Sequence, residues 1–576
     1  MAEARYETTT PLPNAAGTTS FWTNLFRCFA IALIDPRKLL AAALGIVAVS
    51  LGWFVLSCIF YYPEPTKNDE AYSKATMQKA LGAKKTNGED YTEDDYTQKG
   101  KDLQERDFDR WLVINDLAGP RGKLSTMPWN EFRGENPFLF VSRISSQPSA
   151  TWVPNLGDYL LRQIPVLTEP LQKLLIPVIR MLDPNASFGT RLYLLLCLAW
   201  SIAVWAFFGG IITRLAAVQL SGKERSSLMQ AVKFVSSRYL SYILSPIVPL
   251  GVIAAIVLGL FVYGLIALIP LVGDLVFYGL LFPVILVGGV AMAFVVLGLA
   301  GYPLMYCTIS SEGSDTFDAV SRSYNYVFQA PLTYLWYSFC ALLYGAAISF
   351  VVIFVGCLTV VMGKWAIGSA AGVTTVESRR PDYLFVFAPE SLGWKELLLK
   401  GSPLAVKQDM EGTKLVDVSE TSAKEYRDSM TWGNYAAAGM ASFWMVFVFL
   451  LMIGFGYSYF WTAYTMVYLQ MRKKLDDVEV DDVYVDDLTA PVTQAATAAP
   501  VPAPPASTPP AGGVSLPMVT ADTPVVPATP AVPPLAVPPL AVPPLAVPPL
   551  AVPPTVPAVV PPEVPPATPP VPPTAE

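Results

Sequence analysis

The sequence predicts a mainly α-helical, polytopic membrane protein. About six transmembrane helices are joined by interfacial amphipathic helices and small α+β outer loops, ahead of a disordered proline-rich C-terminal tail. Three observations predict it. Hydrophobic side chains make up 53% of the 576 residues and charged ones only 15%, against ~45–50% and ~25% in soluble chains. Mean hydropathy is +0.42, and the apolar residues fall in long blocks, which suit lipid better than a water-facing core. More than half of the 53 prolines lie beyond Thr489.

Residues 1–20 are polar, with Thr8, Thr9, Thr10, Pro11 and Pro13, and are expected to be disordered. No small-residue cleavage site follows the first apolar run, so it is read as a retained span rather than a signal peptide. An interfacial helix is expected over 21–39 and the first span over 40–61, uncharged throughout. A crossing needs ~20 apolar residues. Five further stretches qualify, at 192–216, 247–269, 275–304, 332–362 and 436–469. Pro270 and Gly273 mark a tight turn between the third and fourth.

Basic residues orient the spans. Arg27, Arg37 and Lys38 precede span one; Arg214, Lys223, Arg225, Lys233 and Arg238 lie at and after the end of span two; Arg322 separates spans four and five; Arg472, Lys473 and Lys474 follow span six. The positive-inside rule puts all four groups in the cytoplasm, with both termini. The predicted location is the cell (inner, cytoplasmic) membrane. Tyr457, Tyr459, Trp461, Tyr464 and Tyr468 crowd the end of span six, as an interfacial aromatic belt or as ordinary helix packing.

The cytoplasmic segments 21–39, 217–246 and 305–331 look alike. Phe21 to Leu33 leads to Pro36, Leu228 to Leu244 to Pro246, and Phe317 to Phe328 to Pro331. Arg27, Arg238 and Arg322 each stand eight or nine residues before the proline, and Tyr239 and Tyr324 seven before it. Such helices would lie in the headgroup plane, so the three arginines are candidate lipid-headgroup contacts. Three units follow, each an interfacial helix plus a hairpin of two spans.

Segments 62–190 and 363–435 are expected outside. Asn68 to Lys101 reads as flexible and acidic. Phe108 to Ile114, Phe138 to Ile144 and Tyr383 to Phe387 read as strands. Pro165, Pro170, Pro177 and Glu169 argue against a seventh crossing at 159–182. That stretch is expected as a kinked helix on the outer face, with a re-entrant helix buried in protein as the alternative. Glu390, Glu396, Asp409 and Glu411 read as a solvated surface.

Residues 470–489 form an acidic juxtamembrane segment. Over 490–576 there is no Lys, Arg or aromatic residue, and Ala-Val-Pro-Pro-Leu repeats from Ala531 through Pro554. That composition favours extended polyproline II, as a spacer or a docking strip for a protein partner.

The chemistry is narrow. There is no histidine, which removes the commonest general base and His-ligated metal sites. Cys28, Cys58, Cys197, Cys307, Cys340 and Cys357 lie in or beside apolar blocks without CxxC spacing, so neither a disulfide framework nor a zinc site is expected. No cofactor is expected, and the net charge of −7 gives no reason to expect a nucleic-acid partner.

Short patterns add a family likeness. These are Gly209–Gly210 leading to Arg214 and Ala216–Ala217–Val218–Gln219, Asp318 to Tyr324 before Pro331, and Leu392–Gly393–Trp394–Lys395. The chain resembles, over about residues 20–485, uncharacterised bacterial polytopic membrane proteins of planctomycete type, and distantly the Yip-type families of unknown function. The resemblance implies membrane location and little chemistry. The leading functional expectation is a non-enzymatic protein that organises membrane or docks partners. A transporter or channel for an apolar or lipid-like molecule comes second, because no span interior carries charge. An intramembrane enzyme comes last.

Overall fold

The computed structural model describes residues 21–60, 70–82, 90–117, 127–131, 133–183, 186–223, 226–369, 381–408 and 415–485. The expected disordered segments 1–20 and 490–576, with Asp409 and Glu411, lie outside them. The helices in chain order are α1 (Phe21–Ile34), α2 (Pro36–Ile59), α3 (Lys74–Leu81), α4 (Glu93–Leu117), α5 (Pro137–Ile144), α6 (Trp152–Leu167), α7 (Glu169–Met181), α8 (Phe188–Leu220), α9 (Leu228–Ser237), α10 (Tyr239–Ile266), α11 (Phe282–Leu299), α12 (Tyr302–Glu312), α13 (Thr316–Gln329), α14 (Pro331–Gly368), α15 (Trp394–Leu399), α16 (Glu420–Ser429) and α17 (Trp432–Leu475). Two short antiparallel strands, β1 (Val406–Gln408) and β2 (Leu415–Asp417), pair Lys407 with Val416.

Six helices are long and apolar enough to cross a membrane: α2, α8, α10, α11, α14 and α17. Local chemistry fixes their starts. Asp35 accepts from the Arg37 N–H and Pro36 opens α2; Thr431 accepts from the Asn434 N–H to cap α17. Both are preferred N-terminal devices, because the first-turn N–H groups lack helical partners.

The three-unit order appears as short helix, long helix, returning helix: α1, α2, α8; then α9, α10, α11–α12; then α13, α14, α17. The packing is cyclic. α9 lies on α8, α13 on α12, and α1 on α17. Each short helix thus sits on the returning helix of the unit before it, and the last contact closes the ring. Tyr239 donates to the Ala203 carbonyl at 2.8 Å and Tyr324 to the Val295 carbonyl at 2.8 Å. Phe29, seven residues before Pro36, meets Phe455 edge-on at 6.3 Å.

The end where the short helices and residues 476–485 lie is here the basal end. There the tails of α8, α12 and α17 converge in a core of Trp205, Tyr306, Trp461 and Tyr468, each under 2% exposed. Trp461 stacks on Tyr306 at 5.3 Å. By contrast α10 and α11 form a peripheral hairpin: 17% and 6% of their most apolar windows are buried, against 61% for α8.

Several expectations are corrected. Phe108 to Ile114 lies within α4 and Phe138 to Ile144 forms α5, not strands. Short apolar runs do not distinguish the two states, and caps decide. The Asn136 side chain accepts from the Phe138 and Leu139 N–H groups with Pro137 at the first turn. Tyr383 to Phe387 begins in a 3₁₀ turn, Pro381–Phe385. The flexible stretch Asn68 to Lys101 holds α3 and the start of α4, pinned where Tyr96 donates to the Gly82 carbonyl at 2.6 Å. The boundary between the second short helix and its span falls at Arg238, because α10 runs on through Pro246 and Pro249. The expected fourth span, 275–304, is α11 alone, preceded by a π-helical turn over Gly273–Leu280 and broken from α12 at Ala300–Gly301.

Candidate functional site

Helices α6 and α7 form an elbow at Thr168. They pack against α14, α8 and α17. A cavity of about 20 Å³ at the elbow is lined by Ser349 and Ile353, half-way along α14, and by Ile453 and Tyr457, half-way along α17. That volume suits a single water. The Gln163 and Ser349 side-chain oxygens and the Tyr457 hydroxyl around it are buried without a protein partner.

Four charges meet there. Arg133, 3% exposed, grips Glu169 with two nitrogens at 3.0 and 3.2 Å. It also donates to Glu131, to the Pro128 carbonyl and to the Ser391 hydroxyl at 3.1 Å. Lys173 lies 3.0 Å from Glu131 and 3.4 Å from Glu169. Nearby, Asn136 donates to the Leu392 carbonyl at 2.8 Å, and Glu390 and Ser391 donate backbone N–H groups to the Trp129 carbonyl. Both loop segments are thereby tied to the elbow.

Burial pushes the Glu169 carboxyl up, but the Arg133 guanidinium and the Lys173 ammonium outweigh it and hold the group at about 2. Burial opposes the Arg133 charge in turn, and Glu169 and Glu131 keep its pKa above the usual value. A general acid or base works best with a pKa near the working pH. This carboxylate is shifted away from it and bound on both oxygens, so the cluster works as an electrostatic staple.

At the basal end a second arrangement appears. After α17 the chain turns at Asp477, φ +52, and residues 479–485 lie back across the ends of α8, α12 and α17 as a strap. Arg214 donates to the Tyr484 carbonyl at 2.7 Å and to the Ser310 carbonyl at 2.8 Å. Arg472 donates to the Glu479 carbonyl at 3.2 Å and to that of Asp482. Lys223 donates to the Val483 carbonyl, and the Tyr484 N–H to the Ser311 carbonyl at 2.8 Å. Val483 is 2% exposed. Farther along the chain's basal face, Lys38 and Asp35 both bond Gln219, a residue of the family-like pattern.

Of the three candidate headgroup arginines, Arg27 is exposed and bonds Asn24 at 3.5 Å. Arg238 donates to the Gly313 carbonyl at 3.1 Å and stacks over Phe234 and Tyr484. Arg322 pairs with Glu312 at 2.8 Å and Asp318 at 2.9 Å. The fold does not gather the three into one site: Arg27 lies on α1, whereas Arg238, at the junction of α9 and α10, and Arg322, on α13, meet the neighbouring residues Gly313 and Glu312.

Sequence reading missed both arrangements. Glu169 and its flanking prolines served only as an argument against a crossing, and Arg133 stands 36 positions from Glu169. The alternation of Val480, Val483 and Val485 with acids was the one available signal for the strap. All six cysteines are free, and only Cys58 is exposed. Among the described residues no group of three or more Cys, Asp or Glu is placed to hold a metal ion. Comparison of the chain with protein-family models, curated proteins and solved structures gives no match.

Proposed function

We propose that this is a non-enzymatic, multi-pass protein of the cell (inner, cytoplasmic) membrane that presents its proline-rich tail to a protein partner in the cytoplasm. The lipid bilayer is its first partner. Leu258, Phe261, Val287 and Val290 on α10 and α11 are 61–70% exposed, a surface suited to acyl chains rather than to water. The clustering of basic residues at the basal end supports a cytoplasmic basal face.

The observation that carries the docking role is the strap. It fixes the chain on the bundle through Tyr484, the last residue but one described before the proline-rich sequence that begins near Ala490. A polyproline-rich strip offers a partner a low-entropy ligand. Proximity labelling in the native cell tests this with the full chain and with residues 490–576 deleted. A discrete set of protein neighbours should disappear on deletion while membrane insertion is unchanged. An identical neighbour set would overturn the docking role.

A second reading, transport of a lipid-like molecule, is favoured by the elbow of α6 and α7. Broken helices meeting charged groups half-way along long apolar helices are a feature of transporter sites. Dithionite quenching of fluorescent phospholipids in proteoliposomes separates the two. A docking protein should leave lipid exchange at the rate of empty vesicles. Fast exchange that Glu169→Gln abolishes would establish the second reading instead.

A further inference from the structure

We propose that the elbow cavity is a binding site for one water molecule, and that this water joins α6, α14 and α17 beside the Arg133–Glu169 pair. Such a site would be present under either functional reading.

The cavity measures about 20 Å³, and a water held in a buried site of that size needs roughly two to four polar partners. Three helices supply them. Gln163 of α6 is 2% exposed, Ser349 of α14 is 6% exposed and Tyr457 of α17 is 2% exposed. All three line the cavity, and the side-chain oxygen of each is buried without a protein hydrogen bond. Ser349 is informative. A helical hydroxyl readily bonds the carbonyl four residues back, as Thr213, Thr308 and Thr465 do on α8, α12 and α17. Ser349 makes no such bond, which leaves its hydroxyl for the cavity.

The chemistry of the three groups selects the ligand. An amide oxygen only accepts, whereas a hydroxyl both donates and accepts. The ligand must therefore donate to Gln163 and can accept from Ser349 and Tyr457, which a water does. The Tyr457 hydroxyl also neighbours the Glu169 carboxylate, and this links the water to the ion pair. A sodium ion would suit the same oxygens. The Arg133 guanidinium lines the cavity, however, and Lys173 stands 3.4 Å from Glu169, so a further cation would meet like charge at close range. A neutral ligand avoids that repulsion.

X-ray footprinting of the full chain in lipid nanodiscs tests this. Irradiation converts ordered water to hydroxyl radicals in place, so a buried ring beside a bound water is hydroxylated and a dry one is spared. Tyr459 on the same helix is the control, because it is 1% exposed and its hydroxyl donates to the Ala341 carbonyl at 2.7 Å. Tyr457 should be modified several-fold faster than Tyr459. Gln163→Leu, which removes the acceptor and keeps the bulk, should bring the Tyr457 rate down toward that of Tyr459. Ser349→Val, which fills the cavity with methyl groups, should do the same. The Tyr457 rate should be equal in sodium chloride and caesium chloride. A lower rate in sodium, the smaller ion, would place a cation in the site and overturn the neutral ligand. Equal rates for Tyr457 and Tyr459 in the unaltered chain, or a Tyr457 rate that neither substitution changes, would overturn the proposal.

Discussion

Arg133→Ala should destabilise the detergent-solubilised protein by about 3–5 kcal/mol, the usual cost of removing one member of a buried ion pair. The substitution leaves Glu169 and Glu131 facing Lys173 alone and deprives the Pro128 carbonyl and Ser391 of a donor. Thermal unfolding measures the loss. Arg162→Ala serves as control, because that pair with Asp158 is 78% and 62% exposed, and exposed pairs contribute little. Equal effects of the two changes would remove the staple from the account. The same cluster sets an acid limit. The Glu169 carboxyl is held at about 2 in the folded protein against an ordinary 4.5. Folding therefore gains stability from its ionised form, fully present above about pH 4.5 and lost as pH falls toward 2. In Arg133→Ala the folded-state carboxyl is held down less, so this acid-dependent loss should shrink.

Trp461→Ala should cost a similar amount, about 3–5 kcal/mol, as large aromatic truncations in packed cores do. Trp461, on α17, touches the other two returning helices: it stacks on Tyr306 of α12, lies 6.4 Å from Trp205 of α8, and sits where a Cβ on Gly209 of α8 would meet it at 3.1 Å. Trp336→Ala, at a side chain 56% exposed, should be nearly neutral. A small effect at Trp461 would mean that the basal convergence adds little to stability.

The six apolar helices were legible because length and hydropathy are one-dimensional properties. A helix satisfies its own backbone, so ~20 apolar residues suffice to announce a crossing. The arginine spacing ahead of Pro36, Pro246 and Pro331, with Tyr239 and Tyr324 before the last two, marked the short helices that precede α2, α10 and α14. Local capping was also written in the chain, at Asn136–Pro137 for example, but short apolar runs hid whether a helix or a strand followed. What only the tertiary structure decided was which units touch. α1 meets α17 across more than 400 positions, as Ser458 bonding the Ala32 carbonyl shows, and no periodicity encodes that closure. The same holds for charge. Read along the chain, the spans have uncharged interiors. In the fold, Glu169 and Lys173 of the elbow, with Arg133 from the segment before α5, pack against the middles of α14 and α17, because a charge outside a long apolar helix in sequence can be folded against it once partners neutralise it. The six long apolar helices were therefore a property of the sequence, whereas the staple and the strap are properties of the packing.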